Sequence, residues 1–248
     1  MGEVRKLEGV YERELLLDSG HVDRFRRLRT SALFILFQRM SGAHTEALGM
    51  GRGRTADRGL LWVVARQHAL VGRMPEYGER VLLRTWPGRM MRVLFPAYYE
   101  LLAHDGETLV RASAVWALMD RRTRATAFPE EYGIEVEGVE TGRELPYLTR
   151  IGPRPTPNSF DFTVPNSYVD LNEHMNNARY FDMVEDRLPA VNAGKVLCEA
   201  HVEYSGEVRF GETVHVVWGE ENGMYYVNGT TEHPCFRMSL TYADGGRV

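Results

Sequence analysis

Cysteine is scarce in this chain of 248 residues: Cys198 and Cys235 are the only two. Two thiols make no disulfide framework and show no metal-binding spacing, so a reducing cytoplasm is the simple expectation. Long apolar runs are missing as well. The longest near the start, residues 32–37, falls far short of the ~20 residues that a membrane-crossing helix needs, and no span is expected. Met1-Gly2-Glu3-Val4-Arg5 leads into no apolar signal core, and no Ser/Arg-rich, acid-poor leader is present. Walker and dinucleotide-binding fingerprints are absent, and so is a Gly-x-Ser-x-Gly elbow, which disfavours a Ser-His-Asp hydrolase. What remains is ordinary for a globular protein, with 44% hydrophobic and 26% charged residues. The length suits one large domain or two smaller ones.

The formal charge of −4 hides an asymmetry. Residues 155–248 carry 14 Asp/Glu and 6 Lys/Arg, a balance of −8, whereas residues 1–154 carry 20 acidic and 24 basic residues, a balance of +4. The basic excess gathers in Arg24, Arg26, Arg27 and Arg29, in Arg52, Arg54 and Arg58, and in Arg121, Arg122 and Arg124. Such a surface either attracts an acidic partner or is simply a solvated face. No nucleic-acid-binding motif accompanies the arginines, so nucleic acid is not an expected partner.

Order along the chain points to one unit used twice. In the second half, Met175, Ala178, Phe181, Val184 and Leu188 fall three or four apart, which predicts a helix over 175–188 with Asn172 or a neighbour as cap and Pro189 as stop. Ala200, Val202 and Tyr204 alternate with Glu199, His201 and Glu203 as in a half-buried strand, and strands are predicted over 213–218, 225–230 and 236–242. The first half repeats this: a helix from 30 to 40, then strands over 60–70, 80–86, 93–102 and 109–119. Aligning Gly78-Glu79 with Gly211-Glu212 gives an offset of 133, and Val22-Asp23 with Val169-Asp170 an offset of 147. The difference of 14 residues is assigned to the stretch 49–54, rich in glycine and arginine. Proline-rich chain between the halves reads as a linker. The expected architecture is α+β, a double hotdog in which each unit wraps a curved antiparallel sheet around a helix. Its parts are residues 1–135, a linker at 136–157, and residues 158–248.

The polar segment 169–177 carries the candidate chemistry. Asp170, Asn172 and His174 alternate, so an extended stretch would turn them to one side. They precede the expected helix, whose N-terminal N–H groups near 175–177 suit a developing oxyanion. A carboxylate, an amide and an imidazole are the groups needed to orient and deprotonate water. On spacing alone, a polar helix cap with His174 at the surface is the commoner arrangement. Glu207 extends the polar side of the strand after His201 and Glu203, where a solvated face is the ordinary alternative. The offsets set Phe25 opposite Asn172, Arg27 opposite His174 and Met74 opposite Glu207; only Asp170 meets an acid, Asp23. The set is therefore unique to the second half. A metal held by His174, His201 and Glu203 is a weaker reading, because no established zinc spacing appears; no metal and no cofactor is expected.

Asp170-Leu-Asn-Glu-His-Met-Asn-Asn177 resembles the Asp-x-Asn-x-His-x-Asn-Asn signature of the plant and bacterial acyl-acyl carrier protein (acyl-ACP) thioesterase family. Glu203-Tyr-Ser-Gly-Glu207 resembles its Glu-Tyr-x-x-Glu segment. Leu61–Arg66, Tyr77–Val81, Thr85-Trp86, Arg111–Trp116, Thr123-Arg124 and Phe128–Glu131 are similar to family segments in the same order. The resemblance implies a double hotdog whose second half is catalytic, through Asp170, Asn172, His174 and Glu207. It also implies hydrolysis of fatty acyl thioesters, with acyl carrier protein bearing an acyl-phosphopantetheine as partner. One departure stands out. Val208 occupies the position where family members often have Cys, so a Cys–His mechanism there is excluded and direct attack by water is expected. Leu33, Phe37 and Met40 are candidates to line an acyl pocket, although ordinary core is the commoner fate of such residues; Asn176 and Asn177 are candidates to contact substrate. Arg24, Arg26, Arg27, Arg121, Arg122 and Arg124 are candidates to dock the carrier. An acyl-CoA thioesterase and a non-catalytic acyl-binding module are the competing functions. A double hotdog is already a pseudo-dimer, so both a monomer and a homodimer are compatible with it.

Overall fold

The computed structural model describes residues 9–146 and 148–244; the N-terminal stretch read for a secretory signal, residues 1–5, lies outside them. The first half comprises β1 (Tyr11–Leu16), α1 (Thr30–Ala47), β2 (Leu60–Val71), β3 (Arg80–Pro87), β4 (Leu94–Ala103) and β5 (Thr108–Asp120). The second comprises β6 (Asn158–Thr163), α2 (Arg179–Glu185), the one-turn α3 (Pro189–Asn192), β7 (Val196–Tyr204), β8 (Thr213–Glu221), β9 (Met224–Thr230) and β10 (Pro234–Ala243). The strands form one antiparallel sheet in the order β1-β3-β4-β5-β2-β7-β10-β9-β8-β6. If β6 to β10 are matched in turn with β1 to β5, that order is a palindrome. Its centre is the seam between β2 and β7, where His68 lies opposite His201.

Two pairs of rings mark this pseudo-twofold axis. His68 and His201 stack at 4.7 Å, and Phe34 of α1 stacks on Phe181 of α2 at 4.3 Å and 9° from parallel. The first pair is 133 residues apart and the second 147, the same two offsets that align the halves in sequence. Leu33, Phe34, Leu36, Phe37 and Met40 form the buried face of α1, and Tyr180, Phe181, Met183 and Val184 that of α2. Together with the inner faces of the strands they make one continuous core across both halves. Each such side chain contributes about 1.5–3 kcal/mol by leaving water.

Several expectations need correction. The helix expected over 175–188 is confined to Arg179–Glu185. Met175 is bridged to Val169 and gives its N–H to the Val208 carbonyl at 2.7 Å, while the Asn176 N–H goes to Tyr168. These extended partners outcompete helical ones. The Asn172 side chain caps nothing; the Asn176 carboxamide accepts the Ala178 N–H at 3.0 Å instead. Pro189 opens α3 rather than stopping α2. Among the described residues each half has five strands, where about four were expected. Edge strand β1 is masked in sequence by its charges, and β6, in which Phe160 and Phe162 alternate with polar residues, by the prolines before it. The 14-residue difference does not sit mainly at 49–54. It lengthens α1 to 18 residues against 7 in α2.

Residues 134–146 and 148–157 run along the outer face of the sheet. The Val139 N–H donates to Pro87 at 2.9 Å, Arg66 and Arg111 donate to the carbonyls of Leu148 and Glu144, and the Ile151 N–H donates to the Glu203 carboxylate at 3.1 Å. The polar side of β7 is therefore covered. His201 is buried, and burial, with His68 and Arg66 adding to it, lowers its pKa to about 4.

Candidate active site

A tight loop delivers His174. One Asp170 oxygen accepts the Asn172 N–H at 2.8 Å and the other accepts the Asn176 amide at 3.1 Å. Backbone bonds between Asp170 and both Glu173 and His174 close the turn. Glu173 absorbs the reversal at a φ of 69°, in the left-handed region. His174 then bridges to Arg209 and is buried, only 8% exposed, which excludes the surface cap that spacing alone allowed.

Glu207 reaches the same place from the end of β7. It does not lie on the polar face of that strand, which ends at Tyr204. The N–H groups of Ser205 and Gly206 both donate to the Cys235 carbonyl. A Cβ on Gly206 would stand 2.9 Å from the Pro234 carbonyl oxygen, so only glycine allows this bend. The result sets Glu207 Oε1 3.6 Å from His174 Nε2. His174 Nδ1 lies 3.3 Å from the Met175 carbonyl, which assigns the proton to Nδ1 and a lone pair to Nε2 in the neutral ring. A carboxylate and an imidazole acceptor thus face one another, and neither of these atoms has a hydrogen-bond partner among the described residues. Two acceptors at this separation suit a water molecule donating to both.

The turn after β5 brings Arg124 to this pair. Its Nη2 donates to Glu207 Oε2, so this arginine belongs to the site rather than to an open docking surface. The other arginines have varied surroundings. Arg24 and Arg27 donate to the carbonyls of Asn192 and Gly194, tying the halves together. Arg26 lies over the Tyr77 ring at 5.4 Å. Arg121 and Arg122 are exposed.

The first half holds the same loop without the chemistry. Asp23 accepts the Phe25 N–H at 2.8 Å, as Asp170 does from Asn172. Arg26 has a φ of 67°, matching Glu173. Val22 bridges Leu28 as Val169 bridges Met175, and Arg27 bridges Glu76 as His174 bridges Arg209. Asp170 therefore shares a loop-closing role with Asp23, while Asn172, His174 and Glu207 differ from their counterparts. Asn172 is half-buried, and its side chain makes no hydrogen bond among the described residues. The Asn177 carbonyl accepts the Tyr204 hydroxyl at 2.9 Å.

Beside the loop, a groove of about 420 Å³ is lined by Gln38, Tyr168, Asp170 and Asn176. Gln38 accepts from Asn176 at 3.3 Å and also lines an apolar cavity of about 290 Å³ in the first half. Trp62, Trp86, Phe95 and Trp116 wall that cavity on the sheet side. Ser41, Gly42, His44, Thr45 and Leu48, on or just after the last turns of α1, wall the other. Leu33, Phe37 and Met40 are in the closed core and do not border it. Gln38 and Tyr204 were not among the candidate site residues; the Glu-Tyr-x-x-Glu segment was a signal for the second, while nothing local marked the first. Among the described residues no group of three or more His, Cys, Asp or Glu is placed to hold a metal. His201 stacks on His68 and Glu203 is bonded to Ile151, so the set weighed as metal ligands does not converge.

Profiles described as the N-terminal and C-terminal domains of acyl-ACP thioesterase match residues 8–133 and 154–242. A chloroplastic acyl-[acyl-carrier-protein] hydrolase of Cuphea viscosissima is 30% identical over 212 residues, 76% of this chain and 49% of the relative. A chloroplastic palmitoyl-acyl carrier protein thioesterase of Cuphea hookeriana is 30% identical over 184 residues, 66% of this chain and 43% of the relative. The chain spans about half the length of these curated relatives. An acyl-ACP thioesterase from Bacteroides thetaiotaomicron superposes with a TM-score of 0.80 at 20% identity, over 95% of this chain and 98% of that one. The 12:0-ACP thioesterase from Umbellularia californica superposes with a TM-score of 0.79 at 21% identity, over 96% and 99%. These likenesses bear out the double hotdog.

Proposed function

We propose that this chain, which belongs to the acyl-ACP thioesterase family, hydrolyses fatty acyl thioesters carried on acyl carrier protein to free fatty acid and carrier thiol. The observation that carries the reading is the facing pair of His174 and Glu207, 3.6 Å apart, on two segments whose duplicates in the first half have Arg27 and Met74 at those places. Duplicated backbone with changed side chains in one copy points to chemistry, since the fold is served by either copy.

In this reading a water between Glu207 and His174 attacks the thioester carbonyl carbon. Its proton goes to Glu207 as the C–O bond forms, and the carbonyl oxygen takes the negative charge. The intermediate collapses by breaking the C–S bond. The proton passes through His174 Nε2 to the leaving thiolate, so water and thioester become acid and thiol with nothing left over. Asn172 orients the water or the carbonyl, and Asp170 keeps the loop closed. The second half is the catalytic domain. The first supplies the acyl pocket, for which the cavity of about 290 Å³ next to Gln38 is the site. Exposed Arg121 and Arg122, on the turn that reaches the catalytic pair, meet the acidic carrier.

Release of free acid from acyl-ACP substrates of graded chain length, with matching acyl-CoA controls, tests this. Faster release from carrier-linked chains is expected. Equal rates on both would make it an acyl-CoA thioesterase, and no release from either would leave an acyl-binding module.

A further inference from the structure

Arg124 stands on the wrong half of the molecule to be catalytic, yet its guanidinium is part of the site. The turn that presents it is tightly made. The Asp120 carboxylate accepts the N–H groups of Arg122 and Thr123 and the Thr123 hydroxyl, and the Arg124 N–H donates to the Asp120 carbonyl at 2.9 Å. Arg124 itself has a φ of 58°, a left-handed conformation that is costly for a non-glycine residue. The fold maintains that cost and directs the side chain across to the second half.

The guanidinium uses only part of its donor set. Nη2 is bonded to Glu207 Oε2, while the adjacent Nε is buried and without a hydrogen-bond partner among the described residues. Glu207 Oε1 and His174 Nε2 are in the same condition. Leaving one such buried group unsatisfied is costly, and here a donor and two acceptors go unsatisfied around a single carboxylate. Two acceptors fit the protons of the attacking water; one cationic donor fits the oxygen that becomes negative.

Two of the backbone donors that sequence suggested for the oxyanion are already engaged. The Met175 N–H is held by Val208 and the Asn176 N–H by Tyr168. We propose that Arg124 is a catalytic residue supplied by the first half, its Nε–H stabilising the thioester oxyanion while Nη2 fixes the carboxylate of Glu207. A charged donor already aimed at the developing charge needs no reorganisation during the reaction. This rests on the hydrolase reading and extends it, because the active centre is then shared between the halves.

The test compares Arg124→Lys, Arg124→Gln and Arg124→Ala with wild type on acyl-ACP and on acyl-N-acetylcysteamine, a thioester lacking the carrier, with thermal unfolding to verify folding. Loss of one oxyanion donor lowers kcat about 10²–10³-fold. Arg124→Gln should show that loss on both substrates with little change in KM, and Arg124→Lys a smaller one. Millimolar guanidinium should restore part of the Arg124→Ala activity where urea does not. A variant whose kcat matches an active wild type overturns the assignment, as does a defect confined to the KM for acyl-ACP, which would make Arg124 a docking residue. A wild type inactive on both substrates overturns the hydrolase reading and this assignment with it.

Discussion

Asp23 and Asp170 close the same turn with the same hydrogen bond at 2.8 Å, so an aspartate in the catalytic signature also has a structural task. Replacing either with Ala removes a carboxylate that holds backbone donors, at a cost of about 1–2 kcal/mol. Matched decreases in Tm are therefore expected for Asp23→Ala and Asp170→Ala, with turnover lost only in the second. His174→Ala and Glu207→Gln should instead lower kcat by at least about 10² with little change in Tm, since each is proposed to act in proton transfer. Near-wild-type turnover in either would sink the assignment. Glu185 gives a separate residue-level expectation. Burial raises its pKa to about 7, against the lowering effect of hydrogen bonds from Thr30 and Tyr242, with Asp182 and Asp186 raising it further. Its ordinary value is 4.5, so the folded state holds a proton that the unfolded state gives up between those two pH values. Stability from this group is complete below about pH 4.5, falls as pH rises toward 7 and is flat above. Glu185→Gln, which keeps an acceptor for both hydroxyls, should flatten that part of the Tm–pH curve; an unchanged slope would count against it.

At the scale of elements, the difference between the halves lies in α1. Its added turns put Ser41, Gly42, His44 and Thr45 against a cavity that α2, at seven residues, is too short to build in the same way. Gly42 is the point to probe, because a Cβ built there meets nothing within 4 Å. Gly42→Leu should intrude on the cavity and shift preference toward shorter acyl chains. Removing a mid-helix glycine should also raise stability by up to about 1 kcal/mol. A chain-length profile unchanged from wild type would show that the acyl group lies elsewhere. Apart from the edge strands β1 and β6, the strands of both halves were legible in sequence because alternation is a local signal, and β2 through β5 were placed to within a residue or two. The start of α2 was not legible. Met175 has the right helical spacing from Ala178 and Phe181, but its N–H is claimed by Val208, 33 residues away, and no local pattern encodes such a partner. The candidate residues Asn172, His174 and Glu207 were legible through their absence from the other copy. Arg124 appeared only as one of several basic residues, because its partner Glu207 is distant in sequence.

The whole molecule is one sheet with a seam in the middle, and the seam pairs Arg66–Leu70 of β2 with Glu199–Glu203 of β7. Separating the halves would open a strand edge on each and expose both faces of the Phe34–Phe181 stack. A single cooperative unfolding transition is expected. Three of the four Trp residues lie in the first half and Trp218 in the second, so a Trp218→Phe variant reports the first half alone. Its fluorescence midpoint should coincide with that of circular dichroism; two separated midpoints would mean independent halves. The duplication could be read from two offsets, 133 and 147, and the ring pairs on the axis obey them. The covering of the outer face by residues 134–146 and 148–157 could not be read, because a proline-rich stretch specifies extended chain without specifying where it lies.

The lengthened helix has a consequence for how such a protein can change over generations. In the proposed reading, His174 and Glu207 are encoded in one copy of the repeat and the walls of the acyl pocket in the other. Substitutions in the turns from Ser41 to Leu48 can alter which chain is accepted while the loop around His174 is inherited intact. Selectivity can drift without passing through inactive intermediates, and a lineage can diversify its products at constant chemistry.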